Sequence, residues 1–509
     1  MTVKNTKTSR QTRHSGVSVI AEALEDRRML ASAVGWGVGW GYPNVFSSAN
    51  FSVTDSNGNT YTAGIFRGRV NVATKGQPPT YINSNNAEDD IFIAKYRADG
   101  ALLWAHRFGG PHYDTVTGLV LGPGGSIYMS GTYQNTITFA IGKPVKPLVS
   151  SGQTDGYIVR MNTATGVPLW SGSIGGEYDD SVTGVAVDSA GRLYIAGWVR
   201  IAGNIAPTGK AVNITTRGVD DTFIERLDPA NGHLLWNKIF GEGNTIETVI
   251  KMAADPSGGI ITSGLFNETV QFDRSSQNFT RTSTGSTDVY IADLTPDGKF
   301  RYVRQYGGKH DDQLSDMIVA PNGDIYFTGV IDKSTNVSAN PAKPVYLYAG
   351  YDTSIYITRM KKDGTIIWAD EIGGDGTPSA SALALDGSGN LYVAGAYTGN
   401  TNFDPGPGTK YYDVNKDKAG VVPGQYDSTD AYLLKLSSAG KFVAVDRLGG
   451  PDGSVVINDV GIDAAGNAYL VGQFVRIIDI DPGPGRYKLV AADRQDTSNV
   501  LVMKLLTGA

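Results

Sequence analysis

Cysteine is absent from all 509 residues, which excludes disulfides, thiolate zinc sites and cysteine nucleophiles together. Charge is sparse too, with Asp, Glu, Lys and Arg making up 18% of the chain. No apolar run approaches the length of a membrane-crossing helix, so the protein is not expected to be membrane-spanning. The few histidines (14, 106, 112, 233 and 310) never fall at the spacing of a zinc-protease helix. Nucleophile-elbow, phosphate-loop and dinucleotide fingerprints are also missing. Residues 1–28 carry six basic against three acidic side chains, which leaves the remainder at about −9. So acidic a body argues against nucleic acid as a partner.

What is plentiful is glycine, at 65 residues, and tyrosine, the commonest aromatic at 26. That balance suits many short strands and tight turns. It is also strictly periodic. Tryptophan recurs at 104, 170, 236 and 368, with Tyr302 in the gap, in steps of 66 residues. Paired glycines keep the same step at Gly109-Gly110, Gly175-Gly176, Gly307-Gly308 and Gly373-Gly374, with Gly241-Glu242 between. A later copy, Gly449-Gly450, is displaced by a ten-residue insertion. Self-similarity at fixed period outranks every other fold signal.

Each unit reads as four strands. In residues 174–240 they are SVTGVAVDS, LYIAGWV, TFIERLD and HLLWNKIF, joined by short glycine-containing turns that favour hairpins. Four-stranded antiparallel units repeated around an axis predict an all-β, seven-bladed β-propeller. The expected blades lie near 45–110, 111–176, 177–242, 243–308, 309–374, 375–450 and 451–509. The last unit has only three strands. Residues 33–41, with Trp36 in the tryptophan register, are expected to close it and leave no open edge. Residues 1–32 then form an export-type leader, and 33–509 the propeller.

Two resemblances sharpen these expectations. The strings GGEYDDSVTGVAVDSAGRLYIAG (175–197) and GGKHDDQLSDMIVAPNGDIYFTG (307–329) resemble the bacterial SBBP seven-bladed propeller repeat. That resemblance spans about 33–509 and implies the fold and an exported protein. Unit four departs most, with Glu242 for glycine and Ile260 for tyrosine. The string LEDRRMLASA (24–33) resembles the LEPR-XLL-type segment of exported and surface proteins of planctomycete bacteria, through Leu24, Glu25, Arg27 and Leu30. It implies an extracellular or cell-surface location. ATGVPLW (164–170) and ANGHLLW (230–236) resemble the outer strand of quinoprotein dehydrogenase propellers over seven residues each, without the eight blades usual there.

Loops between strands two and three differ from blade to blade, as at 66–88, 200–219, 331–350 and 397–428, and variable loops on a rigid scaffold are where binding is expected. At the same end, Asp114, Asp180 and Asp312 recur at one blade position, with His112 and His310 two residues before the first and third. These five are the candidate ligand-binding residues. Asp179, Asp180, Asp311, Asp312, Asp404 and Asp481 supply the oxygen chemistry of a calcium site; the alternative is that each caps its own turn. Asp90, Asp155, Asp221, Asp288 and Asp430, before strand three, read as turn caps. Loop tyrosines 81, 346, 348, 411, 412 and 426 have the faces to stack on sugars. The leading expectation is an exported binding or structural module recognising a polysaccharide or an envelope protein. A glycan-active hydrolase or lyase using carboxylates at the channel mouth is the alternative, and a quinoprotein-like oxidoreductase a weaker one. No catalytic residue is assigned.

Overall fold

The computed structural model describes residues 32–507 apart from 86–87, 143–145, 244, 246, 332, 341, 351–352, 415–428, 451–452 and 493–496. The expected leader, save Ser32, and Tyr426 lie outside the described residues. Among these residues the chain is all-β, with one 3-10 turn at Gln277–Phe279. Among the described residues no helix is long and apolar enough to cross a membrane.

Strands pair antiparallel in sets of four. Unit one runs Ser48–Thr54, Thr60–Phe66, Asp90–Tyr96 and Leu102–Phe108, paired in chain order. Unit two runs Gly118–Gly122, Ser126–Ile137, Leu148–Asn162 and Pro168–Gly176, and unit three Ser181–Val187, Leu193–Asn204, Asn213–Leu227 and Leu234–Phe240. Unit four is Lys251–Ala254, Ile260–Gln271, Thr280–Leu294 and Phe300–Tyr306. Unit five is Asp316–Val319, Ile325–Ile331, Ser354–Met360 and Ile366–Gly374, and unit six Pro378–Leu385, Leu391–Tyr397, Asp430–Leu436 and Phe442–Leu448. The last set, unit seven, joins both ends of the chain. Ser454–Ile462, Ala468–Val475 and Asn499–Leu506 are completed by Ala33–Trp40, which pairs antiparallel with Asn499–Leu506. Just before that strand, Ser32 donates its backbone N–H to Asp446 in unit six at 3.2 Å.

The first strands of successive units touch in sequence from unit one to unit seven, and unit seven touches unit one. Small residues let these strands approach, as Gly118 and Gly184 do. Charge sits there as well: Lys251 in unit four meets Asp316 of unit five at 3.1 Å, and Asp459 of unit seven lies within its field.

Between the sheets, aromatic rings fill the wedge. Tyr61, Tyr128, Tyr194, Tyr326, Tyr392 and Tyr469, one in most units, are almost wholly buried. The periodic tryptophans sit on the outer strands and reach across to the following unit. Trp104 donates its indole N–H to Thr163 O at 3.3 Å, Trp170 to Pro229 O at 3.0 Å, Trp236 to Pro296 O at 2.9 Å and Trp368 to Ser438 O at 3.1 Å. Trp36 does the same from unit seven to Ala98 O of unit one, at 3.2 Å. Each acceptor lies in the strand three–four turn of the next unit. A glycine with positive φ follows it, such as Gly232 at 76°, over which the ring lies. Any side chain there would strike the indole, so the turn and the staple are one device.

Strand two does not simply turn back into strand three. In units two, three and four both strands run on past a register shift into a two-stranded ribbon. Elsewhere the ribbon is a separate pair: Arg69–Asn71 with Tyr81–Asn83, Ser334–Asn336 with Tyr346–Tyr348, Asn400–Asn402 with Tyr411–Asp413, and Ile477–Asp479 with Lys488–Val490. The kink carries left-handed residues at one blade position, including Asn135, Ile201, Glu268, Lys333 and Arg476. Bulges of this kind re-aim a strand. Here they lift the ribbon so that its edge bridges the paired glycines ending the previous unit, as Gly175-Gly176 pairs with Gly203 and Asn204.

Candidate functional site

The paired glycines and the neighbouring ribbon enclose the carboxylates singled out in the sequence, and these are buried. Asp114 and Asp180 are 0% exposed and Asp312 is 2% exposed. Each accepts the backbone N–H of the second glycine of its pair: Gly110 at 2.8 Å, Gly176 at 2.6 Å and Gly308 at 2.7 Å. Asp180 also accepts the N–H of Arg200 at 2.8 Å. His112 is exposed and His310 half-buried. Asp179 lies 4.0 Å from Arg200, and Asp311 is exposed. Asp404 and Asp481 form tight turns inside their Pro-Gly loops, accepting the N–H of Gly406 and Gly483 at 2.9 Å each. Asp481 also lines, with Asp413, Asp430, Asp479 and Arg447, a cleft of about 210 Å3 between units six and seven.

Two carboxylate series that read as independent in the sequence meet here. Asp90 approaches Asp114, Asp155 approaches Asp180 and Asp288 approaches Asp312, each pair straddling two units around a glycine. In unit three Asp221 is partnered the same way by Glu247. Burial pushes Asp114 up to about 8, and Asp90 adds to the rise. Burial likewise lifts Asp155, Asp180 and Asp312 to about 6 and Glu247 to about 7. Both series follow the repeat, with Asp114, Asp180 and Asp312 five residues after the first glycine of their pair and Asp90, Asp155, Asp221 and Asp288 nineteen or twenty before it, but periodicity does not show that the two columns meet. Among the described residues, no three His, Cys, Asp or Glu side chains converge as a metal-ligand set.

The ribbons present the opposite chemistry, with aromatic faces turned outward. Tyr81, Tyr346, Tyr348 and Tyr411 are between 48% and 63% exposed. Tyr346 and Tyr348 project from the same edge of one ribbon, their ring centroids 6.2 Å apart. Tyr81 is covered on one face by the Arg69 guanidinium at 3.8 Å. Tyr412 instead packs inward, against Phe403 and under Arg447. The ribbon of unit five also walls a groove of about 820 Å3 shared with unit four, lined by Arg281, Arg304, Gln305, Asn340, Lys343 and Asp363 among others. The groove was not legible from the sequence, since its walls come from segments more than eighty residues apart.

No protein-family profile matches this sequence. Over 265 residues it is 22% identical to an uncharacterized WD repeat-containing protein of Acanthamoeba polyphaga mimivirus, covering 47% of this chain and 18% of that protein. Over 153 residues it is 29% identical to the regulatory protein FlaEY of Caulobacter vibrioides, covering 30% of this chain and 15% of that protein. The chain thus spans less than a fifth of the length of these curated relatives. Among solved structures it is similar to quinohemoprotein alcohol dehydrogenase from Comamonas testosteroni, at 11% identity and a TM-score of 0.38, over 94% of this chain and 76% of that one. The WD40 β-propeller domain of Doa1 aligns at 12% identity and a TM-score of 0.28, over 78% of this chain and 95% of that one.

Proposed function

We propose that the chain closes into a seven-bladed β-propeller, is exported, and binds a polysaccharide through the ribbon end of its blades. Closure is supported by the contact of unit seven with unit one, by Trp36 repeating across that joint the bond its counterparts make elsewhere, and by Lys251 and Asp459 sensing each other from opposite sides. Export rests on the leader and repeat resemblances.

The observation that carries the binding reading is the pair Tyr346 and Tyr348, standing exposed on the ribbon whose other residues, Asn336 and Val345, wall the groove between units four and five, the tyrosines themselves lying outside its lining. Aromatic faces with a polar tip stack on the apolar faces of sugar rings, and a groove beside them supplies hydrogen-bonding groups. Arg281, Arg304 and Lys343 in that groove favour an acidic polysaccharide over a neutral one. The burial of Asp114, Asp180 and Asp312 favours binding over glycan hydrolysis or elimination, because a substrate does not reach them in this conformation.

Calorimetric titration of the protein with uronic-acid-containing and neutral polysaccharides tests the reading. The acidic polymer is expected to bind, and Tyr346→Ala with Tyr348→Ala to weaken it at least tenfold while leaving the melting temperature within a degree, since both side chains are exposed. Equal affinity of the double variant and the parent sinks the proposal.

A further inference from the structure

The four carboxylate pairs are not balanced alike, and the difference points to a ligand. In the joint between units one and two, Arg107 meets Asp90 with its Nε at 2.7 Å. In that between units three and four, Arg274, arriving from the neighbouring ribbon, meets Asp221 at 2.5 Å. Among the described residues no basic side chain forms an ion pair with a carboxylate of the two other joints; Arg200 meets Asp180 through its backbone N–H, and its guanidinium acts on it only at longer range. One repeat beyond Arg107 stands Ser173, whose hydroxyl lies 3.4 Å from Asp155; three repeats beyond stands Gln305, whose amide donates to Asp288 at 2.5 Å. The strand register confirms the equivalence: Arg107 pairs with Phe92, Ser173 with Tyr157 and Gln305 with Tyr290, each two residues past the aspartate. Two carboxylates are therefore enclosed with a neutral side chain where their siblings have a guanidinium.

A buried carboxylate oxygen without a hydrogen bond recurs in all four joints, as Asp114 Oδ1 and Glu247 Oε1 where an arginine is present and as Asp155 Oδ1 and Asp288 Oδ1 where none is. Asp155 is 1% exposed and Asp288 0% exposed, and the Oδ1 of each is unpartnered. Asp288 Oδ1 and Asp312 Oδ2 lie 2.7 and 2.6 Å from the point where a Cβ on Gly307 would sit, so they face each other across a glycine. Asp155 Oδ1 is 2.5 Å from the corresponding point on Gly175. Burying a carboxylate pair without a compensating charge costs several kcal/mol, so the two joints that lack the guanidinium of Arg107 or Arg274 are the ones in which a cation is wanted.

We infer that Asp155 with Asp180, and Asp288 with Asp312, form two sites for a divalent hard cation, calcium, which performs structurally what Arg107 and Arg274 do in the sibling joints. Two carboxylates neutralise one divalent charge, and purely oxygen donors select calcium over thiolate- or imidazole-seeking metals. The inference does not depend on polysaccharide binding.

Titrating calcium into the EDTA-stripped, full-length protein should reveal two sites per chain. Asp288→Asn or Asp155→Asn should each remove one, whereas Asp90→Asn and Asp221→Asn should leave both. Because the asparagine variants risk misfolding, the decisive proteins are Ser173→Arg and Gln305→Arg, which copy the sibling joints. Combined, they should fold, melt at the same temperature with calcium or EDTA, and bind no calcium. Calcium at a hundred times its Kd should raise the melting temperature of the parent by roughly 2–3 °C. A parent that binds no calcium, or arginine variants that still bind two, overturns the inference. In the first case, proton uptake on folding would show that shared protons balance the pairs instead.

Discussion

Asp114→Asn should make the protein more stable at pH 8 and leave it indifferent only below about pH 4. Asp114 is fully buried beside Asp90, and its carboxyl is lifted from 3.8 to about 8, mainly by burial and further by Asp90. A folded-state pKa above the unfolded one means that folding takes up a proton. The resulting stability is fully present below the unfolded pKa near 4 and is lost as pH rises through about 8. Four pH units at about 1.4 kcal/mol each set an upper bound on the order of 5 kcal/mol at alkaline pH. Asparagine keeps the acceptor for Gly110 N–H and the shape of the side chain, but never ionises. For a chain of this length about 1 kcal/mol moves the melting temperature by roughly 1 °C. The parent is therefore expected to fall progressively behind Asp114→Asn between pH 4 and pH 8, by as much as about 5 °C. Scanning calorimetry at unit pH intervals measures the gap. A constant offset between the two proteins across that range would refute the reasoning.

Three further outcomes follow from the same structure. Glu225, fully buried on strand three of unit three with both carboxylate oxygens unpartnered, stands where units one and four have Ala94 and Ala292. Glu225→Val should raise stability at pH 7 by about 1–3 kcal/mol, read by guanidinium titration; a lower midpoint would contradict it. Trp170→Phe keeps a ring on the wedge but loses the 3.0 Å bond to Pro229 O, and should cost about 1–2 kcal/mol by the same assay. Removing 33–40 exposes the edge of Asn499–Leu506, and light scattering should then show self-association, which an unchanged monomer would disprove.

The repeat and its strands were legible because the residues that set them are local and periodic. A glycine in a tight turn, an aspartate capping it and a buried tyrosine six residues later recur in the turn of unit three as Asp188, Gly191 and Tyr194, whose hydroxyl donates to Asp188 at 3.1 Å. The pairing of Ala33–Trp40 with the final strand was legible too, through the register of Trp36. The site was harder to read for a physical reason. Asp90 and Asp114 belong to different units, and only packing of one unit on the next makes them a pair, so periodicity shows each column of aspartates but not the distance between columns. The left-handed residues at the ribbon kink were hidden for another reason: Ile201, with φ at 62°, is a residue type that gives no local hint of that conformation. There the tertiary bridge to the paired glycines overrides the preference of the side chain.

Unit four shows what the repeat requires as distinct from what it usually contains. Its outer strand has Tyr302 in place of tryptophan, so no indole reaches the next unit. Arg304, two residues on and on the same face of the strand, stacks over Tyr302 at 3.6 Å and donates to Lys362 O at 2.7 Å, in the equivalent turn of unit five. The turn carbonyl is therefore satisfied although the donor has moved along the strand. The constant is the unmet acceptor in the neighbouring turn, which costs about 1–3 kcal/mol if buried without a donor. Tryptophan is one of the side chains long enough, flat enough and polar enough at its tip to meet it. The carboxylate pairs obey the same logic with the opposite sign. In the four joints that have it the buried carboxylate pair is the constant, and Arg107, Arg274 or, on the inference above, a bound cation is the variable that answers it; in unit five the position of Asp90 is taken by Ser354. Substitutions that respect the constant should be tolerated even when they change the residue type, and those that remove it should not.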